Sequence, residues 1–176
     1  LGTNALAGDT YGSKSVAIGR EALVTQNFTT ATDSYNTAVG YAAGQAVTTG
    51  IYNTFVGGAA GDSTTTGQRN VGVGLQALDY NQTGDASVAV GTNALRKQNP
   101  ATNTDMYNVA IGDEAGTEIT TGVGNTFVGG LAGDATDDGA SNTAVGYGSL
   151  SANCGDGNVA IGYNALASVT GGTNIG

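Results

Sequence analysis

The side chains that could do chemistry in this 176-residue chain are few, and their types restrict what that chemistry could be. Histidine is absent, Cys154 is the single cysteine, and fourteen acidic residues stand against five basic ones. Without histidine the most common general base is missing, and no serine or cysteine has a catalytic partner at a suggestive spacing. Paired carboxylates could hydrolyse glycans, but these acids are scattered through turn-like segments. We therefore predict a protein that is not an enzyme and has no catalytic residues.

Two glycine-rich segments resemble a calcium-binding pattern only in part. Residues 57–62 and 129–134 read G-G-x-x-G-D, whereas the calcium-binding nonapeptide has G-G-x-G-x-D. Because calcium needs several oxygen ligands from adjacent turns, we predict no metal site and no cofactor. A lone cysteine allows no disulfide within the chain, and we interpret Cys154 as a small residue in a turn.

Aromatic and cationic side chains occur in two segments where the sequence departs from its regular pattern. These segments are residues 24–35 (VTQNFTTATDSY) and 96–107 (RKQNPATNTDMY), each four residues longer than its counterparts. Aromatic and Arg side chains dominate the contact energy of recognition surfaces, and insertions in repeat proteins often lie on the binding face. We predict candidate receptor contacts at Phe28, Tyr35, Arg96, Lys97, Asn99 and Tyr107. The alternative is that both insertions are neutral loops, since added loop length costs little.

The net charge of −9 excludes one class of partner. Nucleic acid binding needs a basic face, which five scattered basic residues do not supply. The longest apolar runs are only a few residues, so we expect no membrane insertion within this segment.

The framework that must position the insertions is a repeat, seen most clearly in residues 36–44 (NTAVGYAAG). Aligned on the central glycine, the unit recurs with a regular step of 17, interrupted by two steps of 21 and one of 16. The aligned glycines are Gly2, Gly19, Gly40, Gly57, Gly74, Gly91, Gly112, Gly129, Gly146 and Gly162. No helical apolar stripe is present, and Gly recurs too often for helix interiors. The sequence therefore predicts an all-β fold, a parallel β-solenoid (β-roll or β-helix) of about ten coils, forming one domain over residues 1–176.

Within each unit, the period of two places Thr37 and Val39 on one side of a strand and Ala38 on the other. We expect Val39 to face the interior and a second short strand to run through the Ala43 and Gly44 positions. Asn recurs at the head of most units, and stacked coils would place these side chains in a ladder of hydrogen bonds. An equally good interpretation is a turn-favouring Asn at a strand edge.

A longer period, equal to four coils, is superimposed on the first. The position four after the aligned glycine alternates between two Leu and two Gly, and Phe55 and Phe127 occupy equivalent places four coils apart. We expect Leu and Gly to occupy one interior slot in different coils, with the two Phe rings filling the space that the glycines leave.

The interior of such a coil is thin, and a second apolar set next to the aligned glycines favours burial of one coil face against partner chains. Three parallel chains around an axis would cover that face and protect the sheet edges, so we expect a homotrimer. Because the chain begins and ends within a repeat, we also expect it to be an excerpt of a longer fibrous polypeptide.

Two families share this pattern over nearly the whole chain. Residues 15–23 (SVAIGREAL) resemble the head repeats of trimeric autotransporter adhesins. Residues 142–147 (NTAVGY) and 158–166 (NVAIGYNAL) are similar to repeats of bacteriophage tail fibres. Either resemblance implies a left-handed parallel β-roll or β-helix, assembled as a homotrimer on a virion or a bacterial surface. Adhesin heads typically use shorter repeats than this chain does, which favours the phage fibre.

The sequence thus predicts a structural fibre protein that serves as a rigid spacer and contacts a host-surface glycan or protein receptor. The adhesin head on a bacterial surface is the main alternative. Two further alternatives have less support. An ice-binding solenoid would need a regular T-x-T ladder, and residues 64–66 (TTT) do not continue into one. A glycan-cleaving tailspike would need the paired carboxylates that the sequence does not indicate.

Overall fold

A computed structural model describes residues 2–176, and it is a parallel β-solenoid without helices in that range. Leu1, the first residue of the predicted domain, lies outside the described residues. The thirteen strands are β1 (Gly12–Ser13), β2 (Val16–Ile18), β3 (Thr32–Asp33), β4 (Thr37–Val39), β5 (Thr54–Val56), β6 (Val71–Val73), β7 (Gly84–Asp85), β8 (Val88–Val90), β9 (Thr104–Asp105), β10 (Val109–Ile111), β11 (Thr126–Val128), β12 (Thr143–Val145) and β13 (Val159–Ile161).

Nine of these strands, one from each coil, form a single parallel sheet along the molecule. Their order is β13-β12-β11-β10-β8-β6-β5-β4-β2, so sequence neighbours are neighbours in space. The register pairs equivalent repeat positions, for example Val39 with Val56 and Val56 with Val73. The predicted parallel β-solenoid with a 17-residue repeat is therefore confirmed. The solenoid has about nine turns, because the unit at Gly2 has no described strand in this sheet.

The predicted direction of the strand side chains is wrong. Ala38 is fully buried, whereas Thr37 and Val39 on either side of it are partly exposed. Alternation alone does not say which set faces inward. The narrow interior accepts the small side chains, and the β-branched ones point out. The inward column consists of Ala17, Ala38, Phe55, Gly72, Ala89, Ala110, Phe127, Ala144 and Ala160.

The β-branched side chains instead form a second surface, which we term the outward face. It has two columns that run the length of the nine-stranded sheet. One column is Val16, Thr37, Thr54, Val71, Val88, Val109, Thr126, Thr143 and Val159. The other is Ile18, Val39, Val56, Val73, Val90, Ile111, Val128, Val145 and Ile161. Neither of these two described columns contains a charged residue.

The prediction of a second strand in each repeat is also wrong, because turns occupy these positions. In the third unit, Ala42 and Gly44 both have a left-handed backbone, with φ of 54° and 58°. An extended strand cannot contain residues in that conformation. The coils are nevertheless bonded to each other here, since Leu23 N–H donates to Ala43 O at 3.1 Å.

The predicted exchange between Phe and Gly in the core is confirmed. A Cβ added to Gly61 would lie 2.4 Å from Phe55 Cε1, and one added to Gly44 would lie 3.1 Å from Phe55 Cδ2. Phe127 fills the equivalent space beside Gly116 and Gly133. Both rings are fully buried, so each ring replaces leucine side chains missing from the neighbouring coils.

The asparagine ladder is present, but most of its hydrogen bonds join side chain to backbone. Asn53 Nδ2 donates to Gly67 O at 2.8 Å within its own coil, and Asn53 Oδ1 accepts from Asn70 N–H at 3.0 Å in the next. Within residues 2–176, direct bonds between two ladder asparagine side chains occur only toward the C-terminal end, from Asn158 to Asn142 and from Asn174 to Asn158. These side chains thus satisfy buried backbone groups both within and between coils.

Serine takes the asparagine position at Ser15 and Ser87, and a buried glutamine compensates there. Gln98 Oε1 accepts from Ser87 Oγ at 3.2 Å and from Asn108 Nδ2 at 2.9 Å. Gln26 holds the equivalent place beside Ser15 and Asn36. The four-coil duplication therefore extends to the buried polar groups.

Candidate receptor-contact sites

Both insertions fold back onto the solenoid. Each adds a two-residue strand that pairs in parallel with the preceding coil, β3 with β1 and β9 with β7. The register places Asp33 beside Ser13 and Asp105 beside Asp85. The residue after each of these strands, Ser34 or Met106, is fully buried. The insertions therefore present fixed side chains at one corner of the coil.

Phe28 is one of the predicted contacts, and it is only 6% exposed. Pro100 holds the equivalent place in the second insertion and is also buried. The Phe28 side chain therefore anchors its insertion and contributes little to the surface of this chain.

Tyr35 and Tyr107, two further predicted contacts, belong to a corner column of left-handed residues. This corner column precedes the asparagine ladder by one residue and has φ between 50° and 73° throughout. Its members are Lys14, Tyr35, Tyr52, Arg69, Ala86, Tyr107, Gly124, Ser141, Gly157 and Thr173. Because the backbone angles are similar, these side chains leave the backbone in a similar direction in every coil. The corner column therefore runs along one edge of the outward face.

The rings in the first part of the corner column cover each other. Tyr35 and Tyr52 stack with ring centroids 5.7 Å apart and planes inclined by 17°. Lys14 Nζ lies 5.0 Å from the Tyr35 centroid and donates to Asp33 Oδ2 at 2.7 Å and to Tyr35 Oη at 2.9 Å. The hydrogen bonds to Asp33 and Tyr35 raise the pKa of Lys14, and the bond from Lys14 lowers the pKa of Asp33.

Tyr107 belongs to a separate polar group farther along the corner column. Its hydroxyl donates to Asp105 Oδ2 at 2.9 Å, while Arg69 Nη2 donates to Asp105 Oδ1 at 2.6 Å. The hydrogen bond to Asp105 raises the pKa of Tyr107. Arg69 also lies 3.4 Å from Asp85, whose pKa is raised chiefly by burial. Asp105 therefore holds the phenol and the guanidinium in fixed positions.

Arg96, Lys97 and Asn99 come earlier in the second insertion and contact other partners. Arg96 Nε lies 3.4 Å from Asp79 Oδ2, and its guanidinium carbon lies 5.1 Å from the Tyr80 centroid. Lys97 Nζ pairs with Glu118 Oε2 at 2.6 Å. Asn99 is exposed. The six predicted residues are therefore distributed over several local groups.

Several residues of these groups escape sequence analysis, among them Lys14, Tyr52, Arg69 and Asp105. A signal for them exists in the repeat alignment. Lys14, Tyr52 and Arg69 all immediately precede the position of the asparagine ladder, and Asp precedes Tyr by two residues in both insertions. Alignment on that position brings the corner column together.

The calcium-like segments contribute two buried carboxylate oxygens. Asp62 Oδ1 and Asp134 Oδ1 have no hydrogen-bond partner among the described residues. Burial raises the pKa of Asp62, with smaller contributions from the charges of Asp79 and Glu21, and burial likewise raises the pKa of Asp134. Residues 2–176 contain no group of three or more His, Cys, Asp or Glu side chains placed to hold a metal ion.

Residues 2–176 form no pocket that could enclose a small ligand. The same range contains no helix long and apolar enough to cross a membrane. The exposed large side chains of this surface include Tyr35, Tyr52 and Tyr107.

Comparison of the chain with protein-family models, with curated proteins and with solved structures found no match. The parallel β-solenoid is accordingly established from the strand order and register alone.

Proposed function

We propose that this chain is a segment of a trimeric structural fibre on a virion, of the bacteriophage tail-fibre type, in which the solenoid is a rigid spacer. The observation that carries the proposal is the outward face. Nine strands spaced by about 4.8 Å make this face roughly 40 Å long. Long apolar patches on a protein surface commonly mark interfaces. Three parallel copies around one axis would bury these columns against each other.

The distribution of charge supports the same assembly. The chain carries nineteen charged residues, and none lies in either column of the outward face. Interface cores are depleted in charged residues, whereas solvated surfaces are rich in them. The net charge of −9 on the remaining surface would keep separate fibres apart in solution.

The oligomeric state tests this proposal directly. We expect sedimentation velocity to give a mass three times that of the 17.2 kDa chain. The protein concentration would be about 10 μM, at which an interface of standard size is occupied. Val73→Lys with Val90→Lys should yield a folded monomer, because both charges lie within the outward face. The matched control, Thr49→Lys with Thr121→Lys in exposed turns, should stay trimeric. A wild-type monomer with the native circular dichroism spectrum would overturn the trimer.

Receptor contact is the second part of the proposal, and the exposed corner residues support it. Adsorption of the parent particle to its bacterial host would be compared before and after replacing Tyr35, Arg96, Lys97, Asn99 and Tyr107 with Ala. Phe28 is left unchanged because its removal would open a cavity. We expect adsorption to fall at least tenfold, and unchanged adsorption would make the insertions neutral loops. The adhesin alternative predicts a membrane anchor elsewhere in the full polypeptide, which sequencing the complete gene would reveal.

A further inference from the structure

The two copies of the four-coil block differ at one place in the corner column. Tyr35 and Tyr107 are equivalent, and each follows an Asp that lies two residues earlier. The next coil has Tyr52 in the first block but Gly124 in the second. The second block therefore keeps one tyrosine and lacks the ring that stacks on it in the first.

Among the described residues, Tyr107 consequently has no aromatic ring stacked on it from an adjacent coil. Its neighbours in the corner column are Ala86 and Gly124, and a Cβ added to Gly124 would meet only Ser141 Oγ, at 3.8 Å. Tyr107 is 62% exposed, compared with 46% for Tyr35 and 50% for Tyr52. The position that a side chain would take at Gly124 is thus open, and it lies one coil from an exposed aromatic surface.

Polar groups hold the Tyr107 ring in place, and one hydroxyl lies on the far side of the space at Gly124. Asp105 accepts from the Tyr107 hydroxyl at 2.9 Å and from Arg69 at 2.6 Å, so the phenol is oriented before any ligand arrives. Ser141 offers a hydroxyl on the side of Gly124. An apolar ring face with a carboxylate beside its hydroxyl and a serine hydroxyl across the open space matches a molecule with apolar C–H faces and a rim of hydroxyls.

We propose that the space between Tyr107 and Ser141 binds one pyranose ring of an uncharged glycan. The sugar would lie in the place that Tyr52 occupies in the first block, with its C–H groups on the Tyr107 ring and its hydroxyls toward Asp105 and Ser141. The net charge of −9 disfavours acidic sugars and nucleotides at this site. This inference rests on the proposed receptor-binding function, and it specifies an uncharged glycan as the class of receptor.

The experiment uses the whole chain with ¹³C-labelled tyrosine and follows the Tyr107 ring signals by NMR. Methyl β-glucopyranoside, methyl β-galactopyranoside and N-acetylglucosamine are added to about 50 mM, because a single sugar contact on an open surface has a Kd on the order of 10 mM. We expect at least one sugar to shift the Tyr107 signals in a saturable manner and to leave those of Tyr35 unchanged.

Two variants separate binding from folding. Tyr107→Ala removes the aromatic surface, and Gly124→Tyr fills the space as Tyr52 does in the first block, at a closely similar φ (68° against 62°). Both should weaken sugar binding at least tenfold, measured by saturation transfer to the sugar protons because Tyr107→Ala has no Tyr107 ring to follow. The control Tyr163→Ala, at an exposed tyrosine outside both insertions, should bind like the wild type. Gly124→Tyr is expected to keep the fold because Tyr52 already occupies the equivalent position in the first block.

Several results would overturn the assignment. They are the absence of any Tyr107 shift with all three sugars, sugar binding that survives Gly124→Tyr, and a shift with adenosine but with no sugar. Sedimentation of the same samples distinguishes this inference from the proposed fibre. A trimer without sugar binding contradicts only the glycan site, whereas a monomer that binds sugar contradicts only the trimer.

Discussion

At the scale of single residues, the core is a set of exchanges within one narrow channel. Ala in the inward column is followed six residues later by a buried Leu in some coils, as with Ala17 and Leu23 or Ala89 and Leu95. Phe55 is instead followed by Gly61, which leaves room for its ring. The two arrangements fill similar space, so a coil should be convertible from one into the other.

Phe55→Ala should destabilise the chain by about 3–5 kcal/mol because it opens a cavity between Gly44 and Gly61. Adding Gly61→Leu to that variant should recover part of the loss, since it recreates the Ala–Leu pair of other coils. Gly61→Leu alone should be strongly destabilising, because its Cβ would already lie 2.4 Å from the Phe55 ring. Urea unfolding of the wild type, the two single variants and the double variant gives the coupling free energy between positions 55 and 61. Additive effects of the two substitutions would contradict the exchange.

At the scale of one element, the asparagine ladder supplies hydrogen bonds that three-residue strands cannot make. Asn53→Ala would leave Gly67 O and Asn70 N–H without these partners in a buried setting. Each of the two unsatisfied groups costs about 1–3 kcal/mol, so we expect the free energy of unfolding in urea to fall by roughly 2–6 kcal/mol. Thr54→Ala, the next residue but on the outward face, is the matched control and should change stability little. If Asn53→Ala and Thr54→Ala changed stability equally, the ladder asparagines would reflect only the preference of Asn for turns.

The buried carboxylates of the turn after each Phe coil predict a dependence on pH. Burial raises the pKa of Asp62 and Asp134 above the ordinary 3.8, so the folded state holds these protons more tightly than the unfolded state. Their stabilising contribution is present below the unfolded pKa and is lost as the pH rises through the folded pKa. Asp62→Asn with Asp134→Asn should therefore melt a few degrees above the wild type at pH 7.

That difference in melting temperature should shrink as the pH falls through the raised pKa of each carboxyl, because the wild-type carboxyls then also become neutral. Asp138→Asn, in an exposed turn, serves as the control and should leave the pH profile unchanged. Thermal melts by circular dichroism between pH 4 and pH 8 measure both effects. A difference that is constant with pH would show that ionisation of the two carboxyls is not its cause.

Recurrence along the chain predicts the spacing of the coils and the pairing of core residues, but it does not predict which way every side chain points. The regular period of the coils and the exchange between Phe55 and Gly61 are visible because several coils repeat them. The direction of Val39 cannot be predicted in this way, because a period of two is the same for either phase and only the width of the interior decides it. The burial of Phe28 is equally hidden, because its insertion occurs twice with different residues, Phe28 and Pro100.

At the scale of the whole molecule, the backbone hydrogen bonds between coils join each coil to the coils directly before and after it. The aligned glycines make this close stacking possible, because each has φ between 130° and 146° from Gly19 to Gly162. A Cβ on Gly74 would lie 2.4 Å from Gly91 O in the next coil. Stability should therefore behave as a sum of coils and of contacts between neighbouring coils.

A comparison of two glycines tests this nearest-neighbour behaviour. Gly74 and Gly162 share nearly the same φ (134° and 130°), but no described coil covers Gly162, whose added Cβ would meet only Ala165 Cβ at 4.0 Å. Both Gly→Ala variants carry the same backbone strain. Gly74→Ala should therefore be less stable than Gly162→Ala by about 1–3 kcal/mol, because only its Cβ clashes with the next coil.

Hydrogen exchange should then show how far that defect spreads. In Gly74→Ala we expect faster exchange at the amides of residues 71–94 and nearly unchanged protection two or more coils away, because the backbone hydrogen bonds between coils join only adjacent coils. Gly162→Ala should affect only the last coil. Loss of protection along the entire chain in Gly74→Ala would instead show that the solenoid unfolds as one cooperative unit, and that contacts between coils outweigh the stability of any single coil.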